Sequence, residues 1–121
     1  MATMNSVIEA VDRLKPNVFT EEDKYRWIAR VDGMVSTDVL GQAEPTVYDL
    51  PADADTELLV KAPFDDIYTL YTAAMIDFCN REYNSYNNTA AMFAERLEAY
   101  KAWYIRSHEA ETARNFRNVM G

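Results

Sequence analysis

Residues 63–79 read PFDDIYTLYTAAMIDFC, and this stretch decides the fold class. Its apolar side chains recur at intervals of three and four residues, which is the spacing of one face of an α-helix. Pro63 and the acids that follow it suit the positive end of a helix. We predict that this helix continues to about Tyr86, because the asparagine-rich run 84–88 favours a turn. Cys79 lies in the apolar face, which indicates a small core residue.

Two stretches upstream show the same helical period. The first is predicted to begin at a cap on Asn5 or Ser6 and to end before Pro16, since proline disfavours helix in the residue that precedes it. The second begins with Thr20 as its cap, followed by three acids that suit the positive end of the helix dipole. It is predicted to end at Gly41, because glycine readily takes the left-handed conformation that closes helices.

The last helical stretch is predicted to begin at a cap on Asn88 or Thr89 and to end at about Ser107. Residues 1–107 then form one helical domain, and residues 108–121 form a C-terminal tail or arm. Every long segment has helical rather than alternating period. The predicted fold class is therefore all-α, a small bundle of about four helices.

The insert between the second and third helices, residues 41–62, differs from the rest of the chain. Residues 41–66 contain seven acids, three prolines and a single base, Lys61. The short apolar pieces of the insert form at most a minor β-hairpin, and its composition supports little core of its own. Two interpretations stay open: a solvated acidic loop, or a segment that is flexible in the free subunit and ordered against another. The second interpretation offers four anchors for a neighbouring subunit: Tyr48, Leu50, Leu58 and Leu59.

The charge balance argues against several function classes. Twelve bases stand against twenty acids, a net charge of −8, which disfavours a surface built for nucleic-acid phosphates or anionic membranes. No apolar run approaches the roughly 20 residues needed to span a bilayer, and residues 1–5 do not open a secretory signal. The single cysteine, Cys79, excludes an internal disulfide and indicates a reducing compartment.

Groups that carry catalysis or bind metals are scarce. The chain has one cysteine and one histidine, His108, too few for the ligand sets of zinc sites. The acids between Asp49 and Glu57 lack the central glycine and the closing glutamate of a calcium loop. The sequence contains neither a glycine-rich phosphate loop nor a nucleophile elbow. We therefore predict no enzyme activity, no cofactor and no metal, with His108 as a surface or interface residue.

Aromatic residues are the strongest positive signal in the composition. Eight Tyr, two Trp and five Phe make up 12% of the chain, and many of the tyrosines fall in the third and fourth helices. Tyrosine suits surfaces that are buried on one side and hydrated on the other, as protein–protein interfaces are. The bases of the last helix would also suit nucleic acid, but neighbouring acids cancel most of their charge. Tyr83 and Tyr86 are candidate contacts between subunits.

Four motifs of the third and fourth helices belong together: APFDDIY at 62–68, MIDF at 75–78, EYNSYNN at 82–88 and Phe93. Residues 7–17 and 27–34, which lie in the first two predicted helices, belong to the same pattern. Together these residues resemble a family of small phage and prophage proteins encoded among structural genes near portal and capsid. That family is similar to the head–tail connector, or adaptor, proteins of long-tailed phages. The resemblance covers most of residues 7–107.

The resemblance implies a virion protein without catalytic residues. It implies a homo-oligomeric ring of about twelve copies that docks on the portal protein and surrounds the DNA exit channel. Head-completion (stopper) or tail proteins would be its other partners, and double-stranded DNA would pass through the ring without specific binding. The implied location is the neck of the virion, assembled in the host cytoplasm and independent of membranes. The acidic charge suits such a channel, since like charge opposes phosphate binding.

The C-terminal arm is the candidate portal-docking segment, because connectors of the resembled family commonly grip the portal with terminal segments. The candidate docking residues are Arg114, Phe116, Arg117, Val119 and Met120. Two alternatives to the connector stay open. One is another virion protein of the same gene cluster, such as a stopper or tail-end protein. The other is an acidic helical regulator, similar to an antitoxin, that binds a basic partner.

Overall fold

The computed structural model describes the backbone of residues 2–120 and the side chains of residues 2–109. The chain is all-α, as predicted, and residues 2–120 contain no β-strand, so the minor hairpin is absent from them. A π-helical turn, Val35–Val39, extends the second helix. The four α-helices are α1 Met4–Leu14, α2 Glu21–Met34, α3 Asp66–Cys79 and α4 Tyr83–Met120.

Helix α1 begins earlier than its sequence predicts. Thr3 is the cap: its hydroxyl accepts from the Ser6 N–H at 3.1 Å, while the Ser6 hydroxyl accepts from the Thr3 N–H at 2.9 Å. This reciprocal pair is a capping box, so the prediction of a cap at Asn5 or Ser6 is wrong. The buried side chain of Met4 explains the earlier start, because it places the first helical residue in the core.

The start and end of the second helical stretch agree with prediction. The Thr20 hydroxyl accepts from the N–H of Asp23 at 3.2 Å, which satisfies one of the unpaired donors of the first turn. At the other end the Leu40 N–H donates to the Val35 carbonyl at 3.0 Å, a bond of the π-helical kind. Gly41 then takes a φ of 72° and ends the helix.

The break between α3 and α4 lies before the asparagine-rich run. Helix α3 ends at Cys79, and α4 begins at Tyr83, so the predicted end near Tyr86 and the predicted caps at Asn88 or Thr89 are wrong. The turn is closed by the Glu82 N–H, which donates to the carbonyl of Asp77 at 2.9 Å. The chain therefore turns at residues 80–82, and the asparagines lie in the first turns of α4 despite their weak helix propensity.

Helix α3 lies at the centre of the bundle and packs against α1, α2 and α4. Its buried side chains meet Val11 of α1 and Ile28 of α2 in one core. The insert adds Ala54, Leu58 and Val60 to that core, so it packs on the bundle of its own chain. Burying three apolar side chains holds the insert on the bundle despite its acidic composition.

Helix α4 is much longer than the bundle it packs on. Its 38 residues span about 57 Å at 1.5 Å per residue, whereas the 14 residues of α3 span about 21 Å. Tyr100 is the last buried side chain among those described. The described side chains from Ile105 to Glu109 are exposed, so α4 leaves the packed body after Tyr104, and it stays helical through Met120, beyond the predicted end near Ser107.

Candidate functional site

A buried carboxylate holds the insert to the bundle. Asp32 of α2 is fully buried and accepts hydrogen bonds from the hydroxyl of Tyr48, from the hydroxyl of Tyr68 at 2.5 Å and from the backbone N–H of Leu59 at 3.2 Å. The Tyr68 oxygen in turn accepts from the Val60 N–H at 2.9 Å. Three donors on one carboxylate offset the cost of removing it from water.

The two tyrosines of this network are held in their neutral form. Burial, followed by the charge of Asp32 and the hydrogen bond to it, raises the pKa of Tyr68 far above its usual range. Burial and the same carboxylate raise the pKa of Tyr48. Each phenol therefore stays a hydrogen-bond donor across the physiological pH range.

A second buried carboxylate joins three helices at the opposite end of α3. Asp77 is fully buried, forms a salt bridge with Lys15 at the end of α1, and accepts from the Ser85 hydroxyl of α4 at 2.7 Å. The Lys15 ammonium also lies 3.3 Å from the Ser85 oxygen. This network fixes where α4 begins. Within the described side chains, no buried nitrogen or oxygen lacks a hydrogen-bond partner.

The four predicted anchors of the insert differ in exposure. Leu58 is 1% exposed and lies in the core of its own chain, so the expectation that it is available to a neighbour is wrong. Leu50 and Leu59 are half-buried and pack against that core. Tyr48 is half-buried, with its hydroxyl bonded to Asp32. Contacts of these last three residues with a second subunit stay predictions.

The predicted contact residues Tyr83 and Tyr86 belong to an aromatic surface where α3 turns into α4. The ring of Phe78 lies 6.2 Å from that of Tyr83 and 5.3 Å from that of Tyr86, measured between centroids. Phe78 and Tyr83 are each about half exposed. Cys79 is exposed beside them, so the prediction of a core cysteine is wrong; α3 ends at this residue, and the chain turns away.

A larger aromatic surface lies where α4 leaves the bundle, and we call it the α4 aromatic surface: Phe64, Tyr100, Trp103, Tyr104 and His108. Phe64 contacts the rings of Tyr100 and Trp103, each at a centroid distance of 5.6 Å. His108 is exposed, as predicted, and stacks on Tyr104 at 5.7 Å. Trp103 remains 44% exposed. This surface combines a packed base with a hydrated edge, as interfaces do.

Charged groups surround the base of this surface. The Arg96 guanidinium lies 5.2 Å from the centre of the Phe64 ring and 3.1 Å from the carboxylate of Asp66. Its NH2 group also donates to the carbonyl of Pro63 at 2.9 Å. These contacts tie α4 to the start of α3, so α4 leaves the bundle in a defined direction.

The candidate portal-docking residues lie outside the described side chains. The backbone there is the last part of α4, which is helical through Met120. Within residues 2–109, no group of three or more His, Cys, Asp or Glu side chains is placed to hold a metal ion. No described helix combines the length and the apolar character needed to cross a membrane.

Three comparisons with known proteins were negative. No protein-family model, curated protein or solved structure matches this chain.

Proposed function

We propose that this chain is a structural subunit of a phage neck, a head–tail connector that forms a ring on the portal. The observation that carries the proposal is the shape of α4. It leaves an acidic bundle after Tyr104, stays helical through Met120, and exposes Trp103 and Ile105 near the point where it leaves. A helix in that position buries its apolar side chains only against another molecule.

The exposed aromatic surfaces support assembly with several partners. One lies at the turn between α3 and α4, and the α4 aromatic surface lies near Tyr100. Two different surfaces on one chain suit a head-to-tail contact, which closes into a ring when the rotation between copies allows it. Tyr and Trp are also the residue types that contribute most at interfaces.

The charge of the chain supports a place beside DNA without tight binding. A net charge of −8 repels phosphates, so DNA would slide through a ring of such subunits. The portal, the stopper and tail partners, the ring of about twelve copies and the location in the virion neck rest on the sequence resemblance. The assignment of the portal-docking role also rests on that resemblance, and its residues are Arg114, Phe116, Arg117, Val119 and Met120.

Binding to the portal tests this proposal. The full chain and a chain that lacks residues 109–121 are each co-expressed with the portal protein of the same genome and purified through a tag on the portal. The full chain is expected to co-purify, and the shortened chain, shown to be helical by circular dichroism, is expected to be lost. Failure of the full chain to bind would contradict the proposal. A stable complex with a basic host protein instead would favour the regulator.

A further inference from the structure

A surface groove lies between α2 and the Leu50–Pro51 turn of the insert, with a volume of about 520 Å³. Tyr25, Ala29, Leu50 and Pro51 provide its apolar lining, and Glu21 and Glu22 provide acidic lining together with one base, Arg26.

The field in this groove is negative. The Arg26 guanidinium lies 3.9 Å from the Asp23 carboxylate, whose negative charge partly cancels the positive charge of Arg26 at the groove. The pKa of Tyr25 is raised by burial and then by the negative charges of Glu21 and Asp55. An occupant of this groove therefore needs an apolar side chain next to a positive charge.

The C-terminal part of α4 has that character. Residues 101–109 carry two bases against one acid, a net charge of +1, while residues 1–100 carry eight bases against eighteen acids, a net charge of −10. In its described part, Ile105 is 54% exposed and the adjacent Arg106 is exposed. The charge of the chain is thus divided between an acidic body and a basic projecting helix.

The described lining of the groove and the exposed part of α4 belong to different elements of the chain. Within residues 2–109, the groove is lined by α2 and the insert and by no residue of α4. Helix α4 is unbroken to Met120, and a sharp bend back toward the groove of its own chain would need a kink. A contact between the two must therefore join separate copies.

We infer that the groove receives the α4 segment 101–109 of a second copy, with Ile105 on the apolar lining and Arg106 facing Glu21 and Glu22. The contact is head-to-tail, so each copy offers both surfaces and the assembly propagates into a ring or filament. The inference rests on the ring of the proposed function and names the surfaces that pair in it; it can fail while the separate test of portal binding succeeds.

Charge exchange tests the pairing. Glu22→Lys and Arg106→Glu are each expected to weaken self-association by about three- to tenfold at low salt. The double variant E22K/R106E is expected to recover most of that loss, because the pair is restored with opposite sign. Sedimentation velocity over a range of concentrations measures the effect. Glu95→Lys, an exposed position on α4 with the same charge change, is the control and should leave association unchanged.

Cross-linking gives a second readout that does not depend on the strength of association. In a Cys79→Ser background, an Ala29→Cys chain with a size tag is mixed with an Ile105→Cys chain and treated with a short bismaleimide. The tagged–untagged dimer is expected to form at least several times faster with the Ile105→Cys chain than with a control chain that carries Ala94→Cys instead. Equal rates with the two partners, or a double charge variant no better than the single ones, would overturn the inference. So would preferential cross-linking of Ala29→Cys to itself.

Discussion

The Tyr68 hydroxyl donates a hydrogen bond of 2.5 Å to the fully buried carboxylate of Asp32, and this bond ties α3 to α2. The same carboxylate accepts from Tyr48 and from the Leu59 N–H, both in the insert. One acidic side chain therefore fixes two helices and the segment between them. A buried carboxylate of this kind is costly to leave without partners, so its network determines where the insert lies.

Replacement of Asp32 should be strongly destabilising. Asp32→Ala leaves two hydroxyls and one backbone N–H without their acceptor, and we expect the free energy of unfolding to fall by about 3–5 kcal/mol. Asp38→Ala, at an exposed position of the adjoining π-helical turn, should stay within about 0.5 kcal/mol. Urea denaturation measures both, and equal losses would contradict the role assigned to Asp32.

High pH should weaken the fold through its buried tyrosines. Burial and the charge of Asp32 raise the pKa of Tyr68 in the folded chain, while an unfolded tyrosine titrates near about 10. The stabilising contribution is complete below about pH 10 and is lost above it, because the unfolded chain then releases a proton that the folded chain keeps.

The measurement is the slope of the free energy of unfolding against pH between about 10 and 11. It should be shallower in Tyr68→Phe than in the original chain, by up to about 1.4 kcal/mol per pH unit. A simple loss of packing in the variant lowers stability at all pH values and leaves the slope unchanged. Identical slopes would therefore show that Tyr68 does not carry the effect.

The insert should behave as part of the core. Leu58→Ala removes a side chain that is 1% exposed, and we expect a loss of about 2–5 kcal/mol in the free energy of unfolding. Val47→Ala, at a position 85% exposed in the same insert, should change stability by less than about 0.5 kcal/mol. Similar small effects at both positions would mean that the insert does not hold to the bundle in solution.

Loss of the Lys15 ammonium should loosen the start of α4. Lys15→Met leaves the buried carboxylate of Asp77 with only the Ser85 hydroxyl as a side-chain donor, and we expect a loss of about 3 kcal/mol. Lys61→Met breaks only an exposed pair with Glu57 at 4.0 Å and should cost less than about 1 kcal/mol. Thermal unfolding of the two variants compares them, and equal midpoints would contradict the network.

Two of the helix ends that depend on nearby backbone groups are predictable from this sequence, whereas the equally local cap of α1 at Thr3 is not, because Asn5 and Ser6 are also good capping residues. Thr20 and Gly41 act through atoms a few residues away, so their local sequence is sufficient. The end of α3 is different, because the Asp77 and Ser85 contact that fixes it joins separate helices. Asparagine propensity around residue 86 is too weak to oppose that contact.

The networks that organise the interior were harder to predict. Asp32 and Asp77 are acids set among apolar residues of a helix, a signal of burial, yet their partners lie in other segments. The apolar run that contains Leu58 indicated burial as well, but the acidity of the surrounding insert favoured the opposite interpretation. An interface role for the aromatic residues of α4 stays a prediction from composition, which rests on the fact that Tyr and Trp suit that role in any fold.

Imaging of the assembled neck is the most direct test of the connector proposal. The full chain is mixed with purified portal rings from the same genome and examined by negative-stain electron microscopy with class averaging. The proposal predicts a second ring of density, coaxial with the portal and open at its centre. Portal rings without added density, at concentrations where the chain is in large excess, would contradict it.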